Sequence, residues 1–189
     1  DDQGWTVKVG NKGRKLSVAG AEKLSKLESV RWQGSLVKDL SDVLDKDDGE
    51  RIAELMAARL PVSVETARLA AAYATAEELA KLKSLVDEQE SLVKDNSPVR
   101  RTEDVDTRFH KLIAKISRNP VLETMVELIR RSEEKVRLSG SASSRAAFDY
   151  GGEHRLIYDA IARHDQERAA LAMKQHIASV MKNESQPSH

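Results

Sequence analysis

Over most of this chain the hydrophobic positions return every three or four residues, the interval at which a helix turns them to one face. That spacing predicts a helix over Ala21–Val30 and another over Trp32–Leu44, the second with Leu36, Val37, Leu40, Val43 and Leu44 as its apolar set. Glu50–Leu60 follows with Ile52, Leu55 and Met56; Pro61 interrupts, and a new helix takes Val64, Ala67, Leu69, Ala70 and Ala71 to Ala74. Thr75-Ala76-Glu77-Glu78 is a capping box, opening a helix through Leu79, Leu82, Leu85, Val86 and Leu92. After a break at Asn96-Ser97-Pro98, a stripe of Val105, Phe109, Leu112, Ile113 and Ile116 marks the next helix. Asn119-Pro120 reads as an N-cap followed by proline at the first helical position, starting a helix to about Leu138. The low-complexity stretch Ser139–Ser144 is read as a flexible loop. Two helices complete the set, one opening at Glu153-His154 and one capped by Asp165 that frays near Asn183.

Only the first eighteen residues alternate instead. Trp5–Val9 and Arg14–Val18 are β-branched runs joined by Gly10-Asn11-Lys12-Gly13, a hairpin signal, and Lys8, Lys12, Arg14 and Lys15 make its tip basic. Because the connections elsewhere are short, neighbouring helices should pack antiparallel. The expected fold is therefore all-α, a bundle of about seven helices behind a short N-terminal β-hairpin. Its expected organisation is a hairpin over 1–18, a connector over 19–31, a helical domain over 32–183 and a disordered tail over 184–189.

Composition narrows the function classes. Lysine plus arginine and aspartate plus glutamate number 31 each, so no overall basic field advertises nucleic acid and any such surface must be local. Cysteine is absent, which excludes disulfides and thiolate metal sites and fits a reducing compartment. No apolar run approaches spanning length and no signal-like segment is present, so the expected location is the cytoplasm. Aromatic residues are only 4%, leaving Leu, Ala, Val and Ile to build the core.

The candidate chemistry gathers around Asp106-Thr107-Arg108-Phe109-His110. Residues four apart share a helix face, so the Asp106 carboxylate and the His110 imidazole project together from the shoulder of the apolar stripe. Taken alone, such a pair also fits the rim of a core, satisfied by neighbours or water. His154 and His176 occupy the same half-buried register on two further helices, beside Ile157, Tyr158 and Ile161 in one case and Ala169, Met173, Ile177 and Val180 in the other. One carboxylate and three neutral imidazoles suit zinc first, with nickel, manganese or iron as alternatives, and leave open positions for water or a ligand. Arg59 falls between Ile52, Leu55 and Met56 in the middle of a buried face, where a permanent charge needs an anion. That anion is either a bound carboxylate or a glutamate of the chain itself. Arg137 and Arg155 are weaker candidates for the same cavity, each equally at home on a solvated surface, as is Arg108. The run Glu133–Arg137 reads as a solvated face, and neither His164 nor His189 is placed as a ligand.

Several of these pieces stand in a familiar order. Asp106-x-x-Phe109-His110, Asn119-Pro120, Glu153-His154, Ala160-Ile161 with Asp165, and His176 together resemble the C-terminal effector-binding (FCD) domain of FadR-type regulators in the GntR family. The likeness extends upstream through Glu54–Arg59 and Ala67–Thr75 and covers roughly residues 32 to 180. It implies a ligand-sensing domain in which Arg59 faces an effector cavity, a small carboxylate effector at the metal, and a homodimer acting on palindromic DNA. Such regulators carry an acidic residue four positions after that arginine, where this chain has Ser63. They also carry a winged helix-turn-helix whose wing is a hairpin; the N-terminal hairpin here fits the wing of such a head, cut short before it, and equally an ordinary N-terminal β-arm. Two other readings remain open at this point, a metal-dependent hydrolase or oxygenase using the same four residues and a helical interaction module with structural histidines.

Overall fold

A computed structural model of the chain describes residues 3–11, 13–44, 50–95, 98–138 and 151–184. It divides into two compact units, Asp1–Lys46 and Asp47–His189. In the first, β1 (Thr6–Lys8) pairs antiparallel with β2 (Arg14–Leu16), Val7 lying opposite Lys15. Gly10 and Gly13 have φ of +51° and +110°, the left-handed backbone that the reversal needs and that glycine adopts without cost from a Cβ. Ser17 ends the hairpin and starts α1 (Val18–Leu44): its N–H donates to the Trp5 carbonyl at 2.9 Å, and its hydroxyl accepts from the Gly20 N–H at 3.0 Å as an N-cap. α1 is one helix of 27 residues, where the apolar pattern predicts two that meet near Trp32. Between Val30 and Trp32 the chain has no Gly or Pro, so nothing in the backbone stops the helix and the shift of apolar face is not a boundary.

The second unit holds α2 (Glu50–Tyr73), α3 (Ala76–Lys94), α4 (Val99–Ile116), α5 (Pro120–Leu138), α6 (Gly151–Ala162) and α7 (Gln166–Glu184). α2 packs along α7 and also meets α4, α5 and α6, while α3 packs on α4 and α6. Ala67, Ala70 and Ala71 give α2 a small-residue face, and Phe109, Ile113, Ile157, Ile161, Met173 and Ile177 fill the centre from α4, α6 and α7. With α1 this makes seven helices among the described residues, the all-α fold that the periodicity predicts.

α2 corrects the expected break at Pro61, which lies inside one continuous helix. Proline removes an N–H and crowds the carbonyl one turn back, at a cost of about 3 kcal/mol in a helix interior. Here both Pro61 and Ala57, whose carbonyl is released, face solvent, while Met56, Ser63, Thr66 and Ala67 bury the opposite face on either side. Water can serve the freed carbonyl, and burial carries the helix through.

Local capping sets the remaining boundaries. The Thr75 and Glu78 side chains cap each other's backbone N–H as expected, and the Asn119 side chain accepts from the N–H groups of Val121 and Leu122. At the end of α6, His164 takes φ of +55°, its N–H donates to Ile161 O, and Asp165 N–H donates to Ala160 O, both at 3.0 Å. This closing pattern turns the chain within three residues and sets α6 beside α7. The Ser139–Ser144 loop and residues 185–189 of the tail lie outside the described residues.

Candidate metal centre

Three helices of the second unit bring four side chains able to ligate a metal to one place. Asp106 and His110 stand one turn apart on α4, His154 comes from the first turns of α6, and His176 from the middle of α7. One ligand atom from each lies within 4.8 Å of all the others. The three imidazoles are buried, while the Asp106 side chain keeps 18% of its surface exposed. Phe109 stacks on His154 with ring centroids 4.3 Å apart and planes at 23°, and His110 stacks on His176 at 5.1 Å and 24°. These contacts fix the ring planes before any ion arrives.

The tautomers follow from the partners. Nδ1 of His176 lies 2.8 Å from Glu153 Oε2, and a carboxylate can only accept, so Nδ1 carries the proton and Nε2 presents its lone pair to the cluster. His110 Nε2 lies 3.1 Å from that atom and 3.4 Å from Asp106 Oδ1, and His154 Nε2 lies 3.3 Å from the same oxygen. The His154 contact lacks hydrogen-bond alignment: among the described residues neither ring nitrogen of this fully buried side chain has a hydrogen-bond partner. Burial pushes the His176 imidazole down to about 4 and holds His110 well below its ordinary range, where the positive charge of Arg59 opposes protonation further. His110 and His176 are thus held neutral. A cation about 2.0–2.2 Å from each donor would separate neighbouring donors by roughly 3–3.5 Å, so the residues present fit a divalent ion.

Behind this cluster runs a chain of buried charges. Burial works against the Asp106 carboxylate, yet the Arg130 guanidinium and His110 hold its pKa well below the usual carboxylate range. Arg130 Nη2 donates to Asp106 Oδ2 and, at 2.9 Å, to Thr107 Oγ1. Arg130 Nη1 lies 3.6 Å from Glu133 Oε2, which in turn lies 3.4 Å from Arg59 Nη1. Glu133 is only 1% exposed. Asp106, Arg130, Glu133 and Arg59 therefore connect α4, α5 and α2 through alternating charges, the arrangement that makes buried ions tolerable.

Against the sequence-based expectations, Asp106, His110, His154 and His176 come together and Arg59 lies close enough for its charge to act on two of the imidazoles. Arg59 does meet a carboxylate of the chain itself, Glu133, one of the two anions expected for it. Arg155 is engaged elsewhere: Glu90 and Asp87 accept its hydrogen bonds at 2.6–2.9 Å on a partly exposed face between α3 and α6. Arg108 is on the surface with Glu88 and Asp104, and His164 is in its exposed turn. The side chain of Arg137 lies outside the described residues, as does His189. Glu133 departs from the solvated face expected for its run, of which Glu134 and Lys135 do face solvent. Sequence reasoning passed over Arg130, Glu133 and the role of Glu153. The available signal was Val126, Ile129, Arg130 and Glu133 at helical spacing, two charges inside an apolar stripe.

Comparison with known proteins accounts for this architecture. The model of the FCD domain matches residues 54–179, two thirds of the chain. The uncharacterized HTH-type transcriptional regulator YcbG of Bacillus subtilis (strain 168) is 26% identical over 132 residues, covering 69% of this chain and 53% of that protein. The chain thus spans about half the length of the curated relative it matches. Among solved structures, Streptococcus agalactiae GntR superposes with a TM-score of 0.59 at 24% identity, covering 96% of this chain and 76% of that one. E. coli McbR/YncC gives 0.59 at 16% identity, covering 73% and 71%. At such identities the structures speak for the fold alone, and the curated relative carries the name of a transcriptional regulator. The chain belongs to the FCD domain family.

Proposed function

We propose that this chain is the ligand-sensing part of a DNA-binding transcription regulator, with a divalent metal held by Asp106, His110, His154 and His176 and a small carboxylate effector bound at that metal. The observation that carries the reading is the convergence of three buried imidazoles and one carboxylate within 4.8 Å, with both ring nitrogens of His154 lacking hydrogen-bond partners among the described residues. Nitrogen and oxygen donors favour zinc first, then nickel, manganese or iron. Bound there, the ion supplies a Lewis-acidic charge that anchors an anion. Arg59 and Arg130 add positive charge on one side, Glu153 holds His176 in the ligating tautomer, and the packed core excludes water. Because α4, α6 and α7 all contribute ligands, an effector that prefers one packing of these helices biases the domain toward it.

The basic hairpin, with Lys8, Arg14 and Lys15, is assigned to the wing of a winged helix-turn-helix, acting in a homodimer on paired DNA half-sites. No helix among the described residues is long and apolar enough to cross a membrane, and the cytoplasm is the assigned location.

Elemental analysis of purified protein tests the metal: about one divalent ion per chain is expected, lost in the His110→Ala, His176→Ala double variant. A thermal-shift screen of small organic acids tests the effector, with a rise that requires both the metal and Arg59. A metal-free protein whose stability ignores added zinc and nickel overturns the proposal.

A further inference from the structure

We infer that Gln89 is a positioning residue of the metal centre, its Oε1 accepting the Nδ1 proton of His154 so that His154 ligates through Nε2. The inference rests on the metal reading above and goes beyond it by assigning a residue outside the four ligands. Neither ring nitrogen of the fully buried His154 has a hydrogen-bond partner among the described residues. Nε2 is the nitrogen turned to the cluster, 3.3 Å from Asp106 Oδ1. An ion that takes the Nε2 lone pair leaves the ring proton on Nδ1, and a ligating imidazole almost always donates that proton to an outer acceptor. His176 has such an acceptor in Glu153, whereas His154 has none among the described residues.

The acceptor comes from α3. Gln89 is 2% exposed, and its Oε1 is buried with no hydrogen-bond partner among the described residues. A buried amide oxygen in that state is costly and calls for a specific explanation. Two ion pairs locate it. Glu88, the residue before, lies 3.3 Å from Arg108 Nη1 on α4, and Glu90, the residue after, accepts from Arg155 of α6 at 2.7 and 2.9 Å. Arg108 precedes Phe109 and Arg155 follows His154, the two residues whose rings stack at 4.3 Å. Both ion pairs are solvent-accessible, while Gln89 shares the buried face of α3 with Val86 and Leu92, so it stands where α3 meets that stack. One other buried side-chain oxygen lacks a donor among the described residues, Glu133 Oε1, and it belongs to the carboxylate beside Arg59 and Arg130. Coordination at Nε2 fixes the proton on Nδ1 and turns that nitrogen into the donor that Gln89 Oε1 lacks.

Two variants and one spectrum test this. Gln89→Met keeps the length of the side chain and removes the acceptor, so zinc affinity, measured by competition against a chelating dye, is expected to fall about tenfold or more. The metal-free variant should meanwhile resist urea at least as well as wild type, because an unmet buried amide gives way to an apolar chain of similar size. A merely structural Gln89 would move both measurements in the same direction. Gln89→Glu, which keeps an acceptor at the position, is expected to bind zinc about fivefold or more tighter than Gln89→Met. In the zinc-loaded wild type, the proton on His154 Nδ1 is expected as a slowly exchanging imidazole resonance with a nuclear Overhauser contact to the Gln89 side chain, a readout that stands even if a variant does not fold. Zinc affinity of Gln89→Met within about twofold of wild type, or a His154 ring proton without a contact to Gln89, overturns the inference and leaves the metal reading standing. A wild-type chain that binds no zinc overturns both.

Discussion

Replacing Glu153 by alanine isolates what a residue outside the cluster does for it. The Glu153 carboxylate accepts from His176 Nδ1 at 2.8 Å, and its own pKa is lowered: burial opposes the charge, but the bonds to His176 and Ser179 and the nearby imidazoles together outweigh it. Without that acceptor the imidazole can place its proton on Nε2, the atom that faces His110 and would ligate. Hydrogen bonds to charged groups are worth about 1.5–3 kcal/mol, and loss of an outer carboxylate partner weakens metal sites by about 10- to 100-fold. The Glu153 side chain is 34% exposed, so solvent screening puts the expected loss near the lower end, about tenfold in zinc affinity. Competition against a chelating dye measures it directly, with urea unfolding of the metal-free protein as the control for folding. Glu153→Gln should recover part of the loss, because an amide oxygen still accepts from Nδ1. Zinc affinity of Glu153→Ala within about twofold of wild type would refute the argument, since it would mean that the tautomer of His176 does not depend on Glu153.

Other consequences follow from burial and backbone geometry. Metal-free protein should lose stability in mild acid: His176 titrates near 4 when folded against an ordinary 6.5, so as pH falls through that interval the unfolded chain takes up a proton that the folded chain refuses. From pH 7.5 to pH 5 this one group should cost about 2 kcal/mol by urea unfolding, and equal stability at the two values would contradict it. Pro61→Ala should raise stability by about 1–3 kcal/mol, because it restores a helical N–H on an exposed face; a lowered melting temperature would show that the proline is needed. Gly20→Ala should loosen the hairpin from α1, since the new Cβ would fall 1.8 Å from the Trp5 carbonyl oxygen that accepts the Ser17 N–H. Faster hydrogen exchange at Ser17 is the expected signature, at a cost of about 1–2 kcal/mol, and unchanged protection would count against it.

Which of these features could be read beforehand depended on whether a local rule decides them. Asp106 and His110 share a face because a helix repeats every 3.6 residues, and that holds wherever the helix is packed. His154 and His176 were legible for a related reason, since each stands at the shoulder of a well-marked stripe and a shoulder side chain points along the seam between two helices. Capping at Thr75 and Asn119 involves only neighbours in sequence. Glu133 is different. Beside Glu134, Lys135 and Arg137 it reads as one more solvated charge, and its own helix gives no reason to bury it apart from its position one turn after Ile129. Burial becomes tolerable only because Arg59 arrives from α2 and Arg130 carries the charge of Asp106 from α4, partners that no window of local sequence contains. Pro61 fails as a breaker for the same kind of reason: its cost is local, but the apolar contacts that exceed it are made with α7 and α5. Charges within an apolar stripe are therefore better treated as questions about a distant partner than as signs of a solvated face. Here both of them, Arg130 and Glu133, lie next to the residues proposed to bind the effector.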